Sequence, residues 1–217
     1  MKYYRYSMNM VKLNVFCIVL LIPIFLLIYF LDLGHFLNYT TLCLFLFWAI
    51  FHEILHGIGF SLGAAHKSIV YGANFEKGIF YCMCKQLVDR KHTMVSLMFP
   101  FIFIGILTLV IGFAFNNSVL IILSLLNIAS SAGDIVMFFS FLLLPDFKYI
   151  DIDDCTGFVL VSENDLSKNK LFGMNLVEIG DYDSLILSQN YKKITVSKLS
   201  WVILVGMLLL LLISFIV

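Results

Sequence analysis

Five apolar runs punctuate the chain, at roughly Val15–Leu31, Leu42–Leu62, Met94–Phe115, Val119–Leu144 and Leu199–Val217. A helix needs about 20 residues, rising about 1.5 Å each, to cross about 30 Å of hydrocarbon. Each run is of that order. The fourth is over-long and is expected to tilt or to extend into the interface. Between the second and third runs, Ser68–Phe75 and Ile79–Cys84 are β-prone stretches around Glu76-Lys77-Gly78, which predicts a hairpin. After the fourth run comes a polar, largely acidic segment, 146–198, with strand-like stretches at Gly157–Ser162 and Leu185–Leu187. At about 50 residues it is marginal as an independent fold and is expected to pack on the membrane part.

The pattern predicts an all-α polytopic membrane protein. It would have about five transmembrane helices, a cytosolic β-hairpin and a small cytosolic β-containing segment. Residues 1–145 would form a membrane-embedded core and 146–198 an acidic cytosolic segment, with 199–217 the last transmembrane helix.

Composition sharpens this. Of 217 residues, 61% are hydrophobic and 13% charged, against about 45–50% and about 25% in soluble domains. A cytosolic globular enzyme is excluded, and so is disorder. The formal net charge is zero, so nothing points to nucleic acid; the expected partners are the lipid bilayer and a membrane protein or peptide. With five spans, all 14 Lys and Arg residues fall on one side: in the amino-terminal segment, between spans two and three, and between spans four and five. The positive-inside rule then puts the amino terminus and both long loops in the cytosol and the carboxyl terminus outside. The first run follows a basic start like a signal peptide, but no small-residue cleavage site follows Phe30, so it reads as an uncleaved anchor. Cys82-x-Cys84 lacks the two-residue gap of a redox or zinc-knuckle motif, and the five cysteines read as ordinary thiols. The cluster Asp151, Asp153 and Asp154 lacks the Gly and distal Glu of a calcium loop and reads as a solvated acidic turn.

Chemistry concentrates in the second run, which reads Phe51-His52-Glu53-Ile54-Leu55-His56-Gly57. This is H-E-x-x-H within an apolar helix. Positions i and i+4 share one face, so His52 and His56 can grip one Zn²⁺, with Glu53 placed as base for water. In a chain of this length the pattern arises by chance on the order of one time in a hundred at ordinary residue usage. Chance copies fall in polar loops, whereas a charged residue mid-membrane costs about 2.5 kcal/mol or more. A third ligand is needed, and Asp134 is the one acidic residue besides Glu53 in any of the five runs. His56 lies about 13 Å from the cytosolic end of its helix and Asp134 about 16 Å, at helical rise, so the two reach the same depth. Asn127, two turns before Asp134, is a candidate for hydrogen-bonding substrate backbone or a developing oxyanion, or for holding helices together.

An H-E-x-x-H span followed by an Asp from a later span resembles the site-2 protease type of intramembrane metalloprotease. The closer resemblance is to small bacterial membrane proteins known as putative zincin peptidases. It is carried by His52-Glu53-Ile54-Leu55-His56-Gly57, Ser131-Ala132-Gly133-Asp134-Ile135 and Asp154-Cys155-Thr156-Gly157-Phe158, over roughly residues 45–160. The chain lacks the N-P-D-G of the larger site-2 proteases. The resemblance implies a multi-pass protein of the bacterial plasma membrane. His52, His56 and Asp134 would hold zinc, and Glu53 would act in peptide hydrolysis in or near the bilayer. The alternative is a membrane zinc protein without turnover, such as a sensor, an immunity-type factor or an assembly factor. A transporter is disfavoured by the absence of an inverted repeat.

Overall fold

Asparagine side chains start three of the long apolar helices. In the computed structural model, Asn9, Asn38 and Asn117 accept hydrogen bonds from the backbone N–H groups of Lys12, Thr41 and Leu120. Such a cap satisfies one of the donors that a helix start leaves unpaired. The structure describes residues 1–63, 65, 68–74, 79–152, 157–169 and 171–180. The fifth apolar run, the stretch Leu185–Leu187, the Glu76-Lys77-Gly78 turn and the acidic residues Asp153 and Asp154 lie outside the described residues.

Helix α1 spans Met10–Phe30 and α2 spans Tyr39–Ser61. Helix α3, Arg90–Pro100, continues through a π-helical segment, Phe101–Leu107, into α4, Thr108–Ala114. Pro100 has no N–H to give, which loosens the regular ladder at that point. Helix α5, Ser118–Ser130, is followed at once by α6, Ala132–Leu142, and the two are bent by 48°. Both Ser130 and Ser131 donate their hydroxyls to the Asn127 carbonyl, and this side-chain competition with the helix ladder accounts for the bend. The bend places Asp134 in the first turn of α6.

The expectation of an all-α protein is overturned. Among the described residues there is a five-stranded antiparallel sheet in the order β4-β5-β6-β1-β7. Its strands are β1 (Lys2–Met8), β4 (Val88–Asp89), β5 (Lys148–Asp151), β6 (Gly157–Ser162) and β7 (Met174–Gly180). The fold is mixed α/β. Among the described residues three helices, Val11–Phe30, Tyr39–Ser61 and Arg90–Ala114, are long and apolar enough to cross a membrane, and the bent pair α5–α6 makes a fourth if it is one span. The physical reason for the miss lies in β1. Its seven residues carry strand-favouring tyrosines, but nothing nearby in the chain offers a partner strand, and it enters the sheet by pairing Tyr4 with Leu160 and with Ile179. Strand order set by partners more than 150 residues away leaves no local periodicity to read.

The sheet seals one end of the helices. Tyr6 and Phe158 stack at 5.6 Å, Tyr149 and Phe158 at 5.4 Å, and Phe141 of α6 meets Phe158 edge-on at 5.5 Å. A separate hairpin, β2 (Ile69–Asn74) with β3 (Ile79–Cys84), pairs Tyr71 with Cys82. It packs against α2 and so borders the H-E-x-x-H turn.

Candidate metal centre

Helix α2 presents His52 and His56 inward, where both are buried. Their Nε2 atoms face each other at 3.1 Å. The bend at Ser131 turns Asp134 toward them, so that Oδ2 lies 3.2 Å from His52 Nε2 and Oδ1 lies 3.4 Å from His56 Nε2. Ligand atoms held tetrahedrally at about 2.0–2.1 Å from zinc stand about 3.3–3.4 Å from one another. The spacings among the two nitrogens and the two carboxylate oxygens are therefore close to those between neighbouring corners of a zinc tetrahedron.

Hydrogen bonds behind the rings fix their tautomers. His56 Nδ1 donates to the Ser96 carbonyl at 2.9 Å, an oxygen that can only accept. His52 Nδ1 donates to Asn127 Oδ1 at 3.0 Å. The orientation of that amide is itself set, because Asn127 Nδ2 donates to the Pro100 carbonyl at 3.2 Å. With both Nδ1 atoms donating, the two Nε2 atoms and the carboxylate converge on one centre, the arrangement in which a metal ion is held by imidazoles whose other nitrogens are fixed from behind.

Tertiary packing holds these partners in place. Ser96 Oγ donates to the His56 carbonyl at 2.7 Å, which pins α3 against α2. The helices approach tightly at Gly59, where a Cβ would stand 2.4 Å from Ser96 Cα. Only glycine fits there. Asn127, 1% exposed, has both ends of its amide engaged, one behind His52 and the other on the carbonyl that opens the π-helical segment. If that arrangement orients His52, Asn127→Leu should lower zinc affinity by about 10- to 100-fold without unfolding the chain. Competition with a chelator dye measures it, and unchanged affinity would show the contact to be incidental.

Glu53 sits one residue from His52 and offers a carboxylate oxygen within 4.8 Å of the histidine nitrogens. It is hydrogen-bonded by the backbone N–H of Cys82 in β3. His52, Glu53 and His56 thus form a group that could hold a metal ion. The shorter approaches of Asp134 make it the better third corner, and Glu53 remains beside the cluster.

The hairpin is tied at a second point. Asp151, in β5, accepts from the Cys84 N–H at 2.8 Å through Oδ2 and from the Tyr149 hydroxyl through Oδ1. Burial raises the Asp151 carboxyl to about 6, against the pull of those two hydrogen bonds and of Lys85 and His56. Because the folded value lies above the ordinary one of 3.8, the folded chain binds more protons between the two. Stability then rises as pH falls from about 6 toward about 4. Asp151→Asn should remove that part of the slope, as read from thermal unfolding of both proteins in detergent across this range. Parallel pH profiles would refute it. The Tyr71 phenol is pushed above its ordinary value, first by burial and then by Cys82 and Glu53.

The sequence pointed to His52, Glu53, His56, Asn127 and Asp134, and the structure brings these five together. It did not point to the carbonyls of Ser96 and Pro100, the N–H of Cys82, or Tyr71. The first three are backbone groups, which carry no residue signature. Tyr71 lay in the hairpin noted from the pattern, with nothing to mark which way it faced.

Residues 44–148 match the model of a protein family described as "putative zincin peptidase". The matched stretch contains the H-E-x-x-H turn, the β2–β3 hairpin, Asn127 and Asp134. Comparison with curated proteins and with solved structures finds no match.

Proposed function

With residues 44–148 those of the putative zincin peptidase family, we propose that the chain is a membrane-embedded zinc endopeptidase that hydrolyses peptide bonds in or near the bilayer. The observation that carries this reading is the meeting of His52 Nε2, His56 Nε2 and the Asp134 carboxylate at 3.1–3.4 Å. In this reading His52, His56 and Asp134 hold the metal. Zinc, when bound, supplies Lewis acidity, which polarises a carbonyl and makes water a usable nucleophile near neutral pH.

Glu53 does the proton work. Its carboxylate oxygen takes a proton from the attacking water as the water oxygen bonds to the carbonyl carbon. The same oxygen returns the proton to the departing nitrogen as the C–N bond breaks. Peptide and water give one carboxylic acid and one amine, and Glu53 ends as it began. The Cys82 N–H keeps this carboxylate from swinging away. Asn127 holds His52 in the tautomer that presents Nε2.

A peptide must be extended to be cut, and an extended backbone in lipid leaves its amides unpaired. The hairpin answers this if the substrate adds as a further strand. The reading places the protein in the cell membrane, with several spans and with the sheet on the cytosolic side, where the basic residues gather. A carboxylate beside three protein ligands favours turnover over a purely structural site, which has four protein ligands and no need of a base.

Two measurements test the proposal together. Metal analysis of the purified chain in mild detergent should give one zinc per chain. Comparison of membrane proteomes with and without the protein should give new peptide termini that depend on it. Absence of bound zinc from metal-supplemented protein would end the reading. Zinc without any dependent cleavage would favour a zinc protein that does not turn over.

A further inference from the structure

Gly57 follows His56 in α2, and the phenol of Tyr71 occupies the place where a side chain at Gly57 would be. A Cβ built on Gly57 would stand 1.8 Å from the Tyr71 hydroxyl oxygen and 2.6 Å from the ring carbon that bears it. The absence of a side chain at Gly57 is thus what admits the hydroxyl to the H-E-x-x-H turn. Tyr71 is 50% exposed, and among the described residues its hydroxyl has no hydrogen-bond partner. Its cross-strand neighbour is Cys82, whose N–H bonds Glu53. One hairpin therefore delivers a free O–H donor and the anchor of the base to the same turn.

Hydrolysis of a peptide needs a donor for the oxygen that becomes negative. The Asn127 amide is spent on His52 and on the Pro100 carbonyl. We propose that Tyr71 is a further catalytic residue, whose phenol O–H donates to the carbonyl oxygen of the scissile peptide as that oxygen takes on charge. This rests on the hydrolytic reading above. As the water oxygen bonds to the carbonyl carbon and its proton passes to Glu53, the C=O π pair moves onto the carbonyl oxygen, facing the Tyr71 O–H. When the pair returns, the C–N bond breaks and the Glu53 proton goes to nitrogen. Tyr71 keeps its own proton throughout. Loss of one such donor lowers turnover by about 10²- to 10³-fold in enzymes that stabilise an oxyanion.

The test uses the full chain in detergent micelles, loaded with Co²⁺ as a spectroscopic metal. Two probes are titrated: a phosphinic dialanine analogue, whose tetrahedral phosphinate mimics the charged adduct, and acetohydroxamate, a planar chelator. Tyr71→Phe should take up the same cobalt, show the same spectrum and bind acetohydroxamate unchanged, yet bind the phosphinate at least about tenfold more weakly. Gly57→Ala, which pushes the phenol off its seat, should lose the same factor, and the double variant no more than either single one. The Tyr71→Phe arm stands alone if Gly57→Ala does not fold. Equal phosphinate affinity in wild type and Tyr71→Phe overturns this proposal and leaves the zinc reading intact, as does metal-loaded wild type that ignores the phosphinate. A wild-type chain that takes up no metal overturns both.

Discussion

Glu53→Gln is expected to keep its zinc and to lose peptide cleavage by about 10²- to 10⁴-fold, the range for removing a general base. The substitution is nearly isosteric. Its amide oxygen can still accept the Cys82 N–H that holds Glu53, so the hairpin keeps its seat on α2. The histidines and Asp134 are untouched, and their approaches of 3.1–3.4 Å do not involve Glu53. What disappears is an oxygen able to take a proton from water and give it to an amine. Zinc per chain and the rate of appearance of dependent peptide termini, measured on wild type and variant together, separate the two effects. A variant that holds zinc and cleaves at the wild-type rate would remove Glu53 from the proton path.

Asp134→Asn should do the opposite, abolishing metal binding while leaving the fold in place. The carboxylate is the one anionic corner of the cluster, and replacing a ligand should cost more than the about 10- to 100-fold expected from a partner behind it. The amide also brings N–H groups, which can donate to the Nε2 lone pairs of His52 and His56. Such donation stabilises the metal-free arrangement. Thermal unfolding with and without a chelator reads this directly. Free metal at 100 times its dissociation constant adds about 2.7 kcal/mol to wild type. Wild type should therefore lose stability on chelation, while Asp134→Asn should be indifferent to it. Chelator-sensitive unfolding of the variant would show that Asp134 is dispensable to the site.

The legible and illegible parts of this protein divide along a physical line. Helices α1 and α2 were visible because apolar runs of membrane length have few alternatives. The hairpin was visible because β2 and β3 are neighbours in sequence, and Gly157–Ser162 emerged as β6 with the boundaries its pattern predicted. His52 and His56 were found because a helix converts a four-residue spacing into a shared face. Asp134 was found because an acid in an apolar run is costly enough to demand a reason. The sheet was missed because the strand-favouring tyrosines of β1 find their partners only in β6 and β7, far along the chain. The over-long fourth run was expected to tilt or to extend into the interface. It is instead broken at Ser131, where two hydroxyls compete for the Asn127 carbonyl.

What the sequence determined by itself is the inventory: apolar helices, a hairpin, and a histidine pair with two acids that apolar surroundings make expensive. Such features are local, or follow from the cost of placing a group in a given solvent, and neither requires knowing the neighbours. The tertiary structure alone decided the convergence. It turned Asp134 onto two imidazoles through a 48° bend, set the carbonyls of Ser96 and Pro100 to fix their tautomers, and laid Tyr71 on Gly57. Those outcomes depend on close packing between elements far apart in the chain, where a single absent Cβ decides what can approach.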